Sequence, residues 1–347
     1  KQILESQKVR APKFSDGGNY LAFDCEGMLN VCSLRDGEIR QVAKLKNTEF
    51  DWKSDARLIF AGDEGLYEYY PAANVAAPIL EDGKVYSDVM CDHLGFVYAS
   101  RYSREIKEDG EYLYPEGIIQ YSFADGSVKM ILEGKSSNAD DMQMGYRSCV
   151  AGVSNDGRYV YIWHKPSSGS LTADGVRFGI YDVSAEQLIP PSVETNIGVE
   201  EDVYNRSLSE AFALAYRDNF SPNPNNGLQL ALNSGSGREM YYNKTIGILD
   251  AANDTFCPLT TDGEAAMTPI WLNDGKRIVY SMTAEMDLYN ILEQGGDTQM
   301  NLWGQWFGQP HHLYQADVAS GERIPLTDGE YFDFAPRELA NGDIIFV

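Results

Sequence analysis

Between residues 285 and 312 the chain gathers the side chains best suited to holding a ligand. Gln294-Gly-Gly-Asp297 is followed by Asn301-Leu-Trp303-Gly-Gln305-Trp306-Phe307-Gly-Gln309-Pro310-His311-His312. Indole and phenyl planes stack on sugars and other flat ligands, and glutamine and histidine supply hydrogen-bond donors and acceptors. Trp303, Gln305, Trp306, Gln309 and His311 are therefore the expected ligand-binding residues. The competing reading makes Trp303, Trp306 and Phe307 anchors that hold a long loop to its scaffold, because a loop of this length must bury something to stay ordered.

A second group is cationic. Arg101-Tyr102-Ser103-Arg104-Glu105 opens a stretch, residues 101–114, that reads as an exposed loop. Arg101 and Arg104 are candidates for an anion or a partner carboxylate, weighed against ordinary surface ion pairing. A third group is acidic: Asp24, Glu26, Asp51, Asp63 and Glu64 fall at strand ends and turns. Brought to one rim they would offer oxygen ligands to calcium, but they lack EF-hand spacing and default to turn caps. No other cofactor is expected. His311 and His312 are neighbours, and consecutive strand residues point to opposite faces, so the two do not chelate one ion together in regular β structure. His93 and His164 are far away in sequence.

Composition narrows the partners. The 347 residues carry 52 acidic against 28 basic side chains, a formal charge of -24. Such a field repels nucleic-acid backbones and anionic membrane surfaces. The chain has no apolar run long enough to span a bilayer. Its five cysteines are an odd number without a CxxC pair, so neither a disulfide scaffold nor a four-cysteine zinc site is expected. Buried thiols fit better, with Cys25 and Cys32, which flank a hairpin turn, the first pair to test for a bridge. The chain begins at Lys1 and ends within a strand at Val347, which suits an excised piece of a larger polypeptide or complex.

These residues need a scaffold, and the sequence supplies one repeatedly. Pro269-Ile-Trp271-Leu-Asn-Asp274-Gly275-Lys-Arg-Ile278-Val-Tyr280-Ser alternates apolar and polar residues on both sides of an Asp-Gly turn. His312-Leu-Tyr314-Gln-Ala-Asp317-Val318 does the same before a Ser-Gly turn and Arg323-Ile-Pro-Leu-Thr327. Two such hairpins make four antiparallel strands. The pattern returns from Ala11, from Phe50, around residues 92–132, and from Cys149. It is least regular over residues 196–262, where 212–216 and 228–232 read as strands around a polar loop at 219–226, and 200–208 as a short helix. A last copy starts at Phe332 and stops after two strands, and Ile3-Leu4 would supply another. One four-stranded unit cannot bury both faces, so repetition implies stacking.

Ser15-Asp16-Gly17, Ser154-Asn155-Asp156-Gly157 and Asn273-Asp274-Gly275, with the closing Asp317-to-Thr327 segment, resemble the WD40-like (PD40) repeat of TolB-type β-propellers. Similar repeats form the propeller of prolyl-oligopeptidase-like peptidases, but this chain has no Gly-x-Ser-x-Gly elbow and no hydrolase domain after the repeats. The resemblance implies an all-β propeller of four-stranded blades in one domain. Seven blades are favoured over six: 11–46, 48–82, 86–133, 147–190, 208–261, 267–327, and 331–347 with 1–9, the last closed by strands from both ends. Gln309 and His311 resemble part of the metal-binding set of propeller pectate lyases. The remaining ligands have no match, so that activity is not carried over.

The reading is a non-catalytic binding or scaffold propeller engaging a protein or glycan ligand through one face and the 285–312 loop, outside the cytoplasm. The alternative is a carbohydrate-active hydrolase or lyase with its residues in a central funnel.

Overall fold

The computed structural model describes residues 9–45, 49–92, 94–134, 146–166, 176–189, 212–213, 220–234, 245–253, 255–261, 263–284, 310–339 and 341–346. The chain forms two compact units, Lys1–Ile162 and Trp163–Val347, built by one local rule. The first sheet is the meander β1 (Val9–Phe14), β2 (Tyr20–Cys25), β3 (Met28–Ser33) and β4 (Ile39–Lys44). The second is β5 (Phe50–Ser54), β6 (Arg57–Ala61), β7 (Gly65–Tyr70) and β8 (Val75–Glu81). The third is β9 (Val85–Cys91), β10 (Phe96–Lys107), β11 (Gly110–Ser122) and β12 (Val128–Glu133). The fourth runs β13 (Tyr146–Val153), β14 (Tyr159–Pro166), β15 (Val176–Asp182) and β16 (Gln187–Leu188), with β17 (Phe212–Ala213) added beside β15. The fifth is β18 (Phe220–Asn223), β19 (Asn226–Ser234), β20 (Thr245–Asp250) and β21 (Thr255–Pro258). The sixth is β22 (Glu264–Trp271), β23 (Arg277–Ala284), β24 (His312–Asp317) and β25 (Arg323–Pro325), followed by the short pair β26 (Arg337–Glu338) and β27 (Ile344–Ile345).

Stacking follows from strands that are apolar on both faces. In β6, Leu58 and Phe60 belong to a core shared with Ala22, Leu29 and Val31 of the first sheet and with Trp52 of β5. The intervening Ile59 and Ala61 pack instead with Val89, Val97, Ala99 and Ile119 of the third sheet. Successive strand residues point to opposite faces, so the second sheet is covered on both. In the second unit, Ile278 and Tyr280 of β23 join Ala231, Ile246 and Ile248, while Val279 faces Leu313 and Ile344.

The recurrent turn motif has two jobs. Ser15 Oγ accepts the Tyr20 N–H at 3.1 Å, and Ser154 Oγ accepts the Tyr159 N–H at 2.9 Å, so the serine closes the turn. The turn is then clasped by the neighbouring sheet. Gly17 N–H and Asn19 Nδ2 donate to the two Asp55 carboxylate oxygens at 2.8 and 2.6 Å. In the second unit Asn223 Nδ2 and Asn225 Nδ2 donate to the Gly275 and Asp274 carbonyls, both at 3.1 Å. A Cβ at Gly17 would lie 2.0 Å from Asp55 Oδ2, and one at Gly275 would lie 2.3 Å from Asn225 Nδ2. Close approach of the adjacent turn, as well as φ of +65° at Gly275, selects glycine.

First strands are cross-tied by charge. Lys13 Nζ of β1 meets Asp51 Oδ1 of β5 at 2.9 Å, and Asp51 Oδ2 accepts the Cys91 N–H of β9 at 2.9 Å. Three first strands also carry a register break at a non-glycine residue with positive φ: Ala11 (46°), Asp88 (54°) and Thr268 (48°).

Several expectations need correction. Val9 pairs with Cys25 in the first sheet, so it does not serve a closing blade; residues 1–8 lie outside the described residues. Residues 101–114 are no loop but the continuous ladder of β10 and β11. Phe220–Asn223, expected within a polar loop, is the first strand of the fifth sheet, whereas Phe212–Ala213 pairs with β15 of the fourth. Phe332 bridges His311 outside any named strand, and the terminal ladder joins Arg337–Glu338 to Ile344–Ile345. None of the five cysteines is in a disulfide. In the β2–β3 ladder Cys25 faces Met28 and Cys32 faces Leu21. The two thiols are thus roughly 13 Å apart along the strands, beyond the reach of a bridge. The 200–208 helix lies outside the described residues.

Candidate functional site

The third sheet carries an element the other sheets lack among the described residues. β10 and β11 continue well past their neighbours as a two-stranded arm. β9 pairs with β10 as far as Tyr102, and β12 pairs with β11 from Gly117. Beyond these points the ladder runs on from Ser103↔Tyr114 to Lys107↔Gly110, with Glu108 and Asp109 as the turn. An Asp-Gly pair at a hairpin tip is the strongest short-range signal for such a ribbon. Asp109-Gly110 lies one residue off that position, with Asp109 the second turn residue and Gly110 the first of β11, among charged residues that otherwise suit a loop.

Both sequence-predicted arginines hold the arm's base. Arg101 Nε lies 2.7 Å from Glu116 Oε2, and Lys84 Nζ lies 2.5 Å from Glu116 Oε1. Burial pushes the Glu116 carboxyl up, but the Lys84 hydrogen bond and the Arg101 charge outweigh it and leave the group below the ordinary glutamate range. Arg104 Nε pairs with Glu111 Oε1 at 2.9 Å, and Arg104 Nη2 donates to the Asp63 carbonyl in the β6–β7 turn. Both arginines are thus engaged by protein carboxylates, the arrangement expected of surface ion pairing, and they orient the arm.

The arm's two faces differ. Directly opposed residues of an antiparallel pair share a face, so Glu105, Lys107, Tyr112 and Tyr114 form one face and Arg104, Ile106, Glu111 and Leu113 the other. On the first, Tyr114 OH donates to Glu105 Oε2 at 2.9 Å, Lys107 Nζ donates to Tyr114 OH at 3.2 Å, and Tyr112 OH donates to Asp109 Oδ2 at 2.7 Å. Lys107 Nζ also lies over the Tyr112 ring, 4.9 Å from its centroid. The Tyr114 hydrogen bond and Lys107 hold Glu105 below its usual range, and the Asp109 hydrogen bond pushes the Tyr112 hydroxyl up. On the second face Ile106 is 79% exposed and Leu113 43% exposed.

The remaining predicted residues are placed as follows. Trp303, Gln305, Trp306 and Gln309 lie outside the described residues. His311 is fully buried, its N–H donating to the Tyr331 carbonyl and its carbonyl accepting the Asp333 N–H, both at 3.0 Å, with its ring 4.1 Å from that of Phe332. In the acidic group, Asp24 Oδ1 caps the Gly27 N–H at 2.7 Å, Asp51 is tied to Lys13, and the Glu64 carbonyl accepts the Gly83 N–H at 3.2 Å. Among the described residues no three His, Cys, Asp or Glu side chains converge as a metal site, and no helix is long and apolar enough to cross a membrane.

Comparison with known proteins yields fold and no family. No family model matches the sequence, and no curated protein matches it. Solved structures do resemble it. A chain of the mitotic checkpoint complex aligns with TM-score 0.54 and 13% identity, over 99% of this chain and 88% of that one. Oligogalacturonate lyase from Vibrio parahaemolyticus aligns with TM-score 0.53 and 11% identity, over 96% and 84%. The tricorn protease aligns with TM-score 0.53 and 12% identity, over 99% of this chain but 33% of that one, so this chain spans a third of the protease's length. At such identities the likeness carries the fold alone. That fold is all-β, of repeated four-stranded antiparallel sheets in a propeller-like arrangement.

Proposed function

We propose that this chain is a non-catalytic binding or scaffold module that engages a protein or glycan ligand through the projecting β10–β11 arm and through residues 285–312. The arm is the observation that supports this reading. It presents Ile106, Tyr112, Leu113 and Tyr114 to solvent on a ribbon whose base is fixed by ion pairs. Exposed apolar side chains held on a rigid scaffold are the usual make-up of a recognition surface. In this proposal residues 285–312 contribute Trp303, Gln305, Trp306 and Gln309. Seven blades, with β26–β27 in the seventh, and a location outside the cytoplasm belong to the same proposal.

The test is a screen of the full chain against immobilised oligosaccharides and a displayed peptide library. The expected result is binding that weakens about tenfold or more in Tyr112→Ala/Tyr114→Ala or in Trp303→Ala/Trp306→Ala, with the circular dichroism spectrum unchanged. Turnover of an oligosaccharide that neither double variant diminishes would replace this reading with a carbohydrate-active hydrolase or lyase.

A further inference from the structure

Among the described residues no strand pairs with the outer edge of β11 before Gly117; Tyr112, Leu113 and Tyr114 are exposed there, and the register fixes what that edge offers. Lys107 and Gly110 close the two-residue turn as a hydrogen-bonded pair. By alternation Tyr112 and Tyr114, opposite Glu105 and Ser103, direct their peptide groups into the ribbon, while Leu113, opposite Arg104, directs its N–H and C=O outward. β12 does not reach this point, since its pairing with β11 begins at Gly117. The Leu113 side chain stands on one face of that edge and the Tyr112 and Tyr114 rings on the other, which gives the two-residue period that an added strand reads.

Charge selects the occupant. From Arg104 to Glu111 the tip carries four carboxylates, Glu105, Glu108, Asp109 and Glu111, against Arg104 and Lys107, within a chain of net charge -24. A second copy would bring the same acidic tip to the seam, whereas a cationic strand sets its charges against Glu108 and Asp109. We propose that the β11 edge at Leu113 accepts an extended lysine- or arginine-bearing segment of another protein as an added antiparallel or parallel strand. This rests on the binding-module reading and names its partner class. Main-chain hydrogen bonds supply the attraction, and the flanking Leu113 and tyrosine side chains select the residues that alternate along the incoming strand.

The probe is a soluble, fluorescently labelled peptide of alternating lysine and valine, titrated into the full chain and followed by anisotropy. A peptide of alternating glutamate and valine is the control. The lysine peptide binds and the glutamate peptide does not, and binding weakens as salt is added. On binding, the Leu113 amide gains protection from hydrogen exchange; the Tyr112 and Tyr114 amides, already bonded within the ribbon, do not change. Leu113→Ala keeps the outward N–H and weakens binding modestly. Leu113→Pro removes that N–H and weakens binding about tenfold or more. Should the proline disturb the hairpin, the exchange pattern in the unsubstituted chain still decides the matter. Lysine-peptide binding without Leu113 protection, or no binding, overturns the proposal. So does self-association that protects Leu113 without peptide, which would make a second copy the occupant. Capture of a glycan or peptide through Trp303 and Trp306 with the arm silent would remove this inference and leave the binding-module reading standing.

Discussion

Asp55 shows how much a single side chain carries in this architecture. It receives the Gly17 N–H and the Asn19 amide from the neighbouring sheet. The Ser15 hydroxyl, together with those two donors, holds its carboxyl below the ordinary aspartate range against a smaller opposing effect of desolvation. A depressed folded-state pKa contributes stability that is present above the unfolded value, about 3.9, and is lost as pH falls through the folded value. Asp55→Asn should therefore flatten the acid limb of the stability profile below about pH 4, read by urea unfolding at stepped pH. Its cost at neutral pH should be about 1 kcal/mol, because the clasp is solvent-accessible. An acid limb identical to that of the unsubstituted chain would refute the assignment. Gly17→Ala and Gly275→Ala separate two reasons for glycine. Gly17 has the close approach of two movable side chains, the Asp55 carboxylate and the Asn19 amide, against it, so alanine should cost about 1 kcal/mol. Gly275 adds a φ of +65°, so alanine there should cost about 1–2 kcal/mol more. Equal costs would show that the left-handed backbone contributes nothing.

At the scale of the element, the arm is separable from the sheet that bears it. The pairing that builds the third sheet runs between Val85 and Tyr102 and between Gly117 and Glu133. The buried residues of that sheet, among them Val97, Ala99, Ile118 and Ile119, all precede Ser103 or follow Glu116. Ser103 and Tyr114 are a hydrogen-bonded pair by the same alternation, the kind of pair a two-residue turn closes. Replacing residues 104–113 by Asn-Gly should thus change stability by less than about 1 kcal/mol, as measured by thermal unfolding. Loss of cooperative unfolding would mean that the arm is part of the core. The arm was legible in part: Asp109-Gly110 falls within one residue of the Glu108–Asp109 turn, and Ile106, Tyr112 and Tyr114 suit strands. The many charged residues around that turn mimic a loop, because a ribbon exposed on both faces has no apolar stripe to bury. The register breaks at Ala11 and Thr268 had no comparable signal, since neither residue type favours positive φ, and at Asp88 aspartate's tolerance of that region is too common in turns to mark a strand.

At the scale of the whole molecule, charge is the dominant fact. A net -24 makes every compact state repel itself. Raising monovalent salt from about 0.01 to about 0.15 M shortens the screening length from ~30 to ~8 Å and should raise the thermal midpoint by a few degrees. A midpoint that falls over the same range would show that the cross-strand pairs, such as Lys13 with Asp51, outweigh the general repulsion.

The sequence by itself determined the strand class, the Asp-Gly and Ser-Gly turns and most hairpin partners, because these depend on a two-residue period and on neighbours a few positions apart. It also determined that the sheets must be covered on both faces, since β6 is apolar at consecutive positions. Only the tertiary structure decided that Phe212–Ala213 joins β15, that His311 is buried against Phe332, and that Arg101 and Arg104 turn to Glu116 and Glu111. Those outcomes are choices among distant partners of similar local fitness. They are settled by which edge is open and which carboxylate is within reach once the sheets have formed, and a linear pattern of residue types does not contain that information.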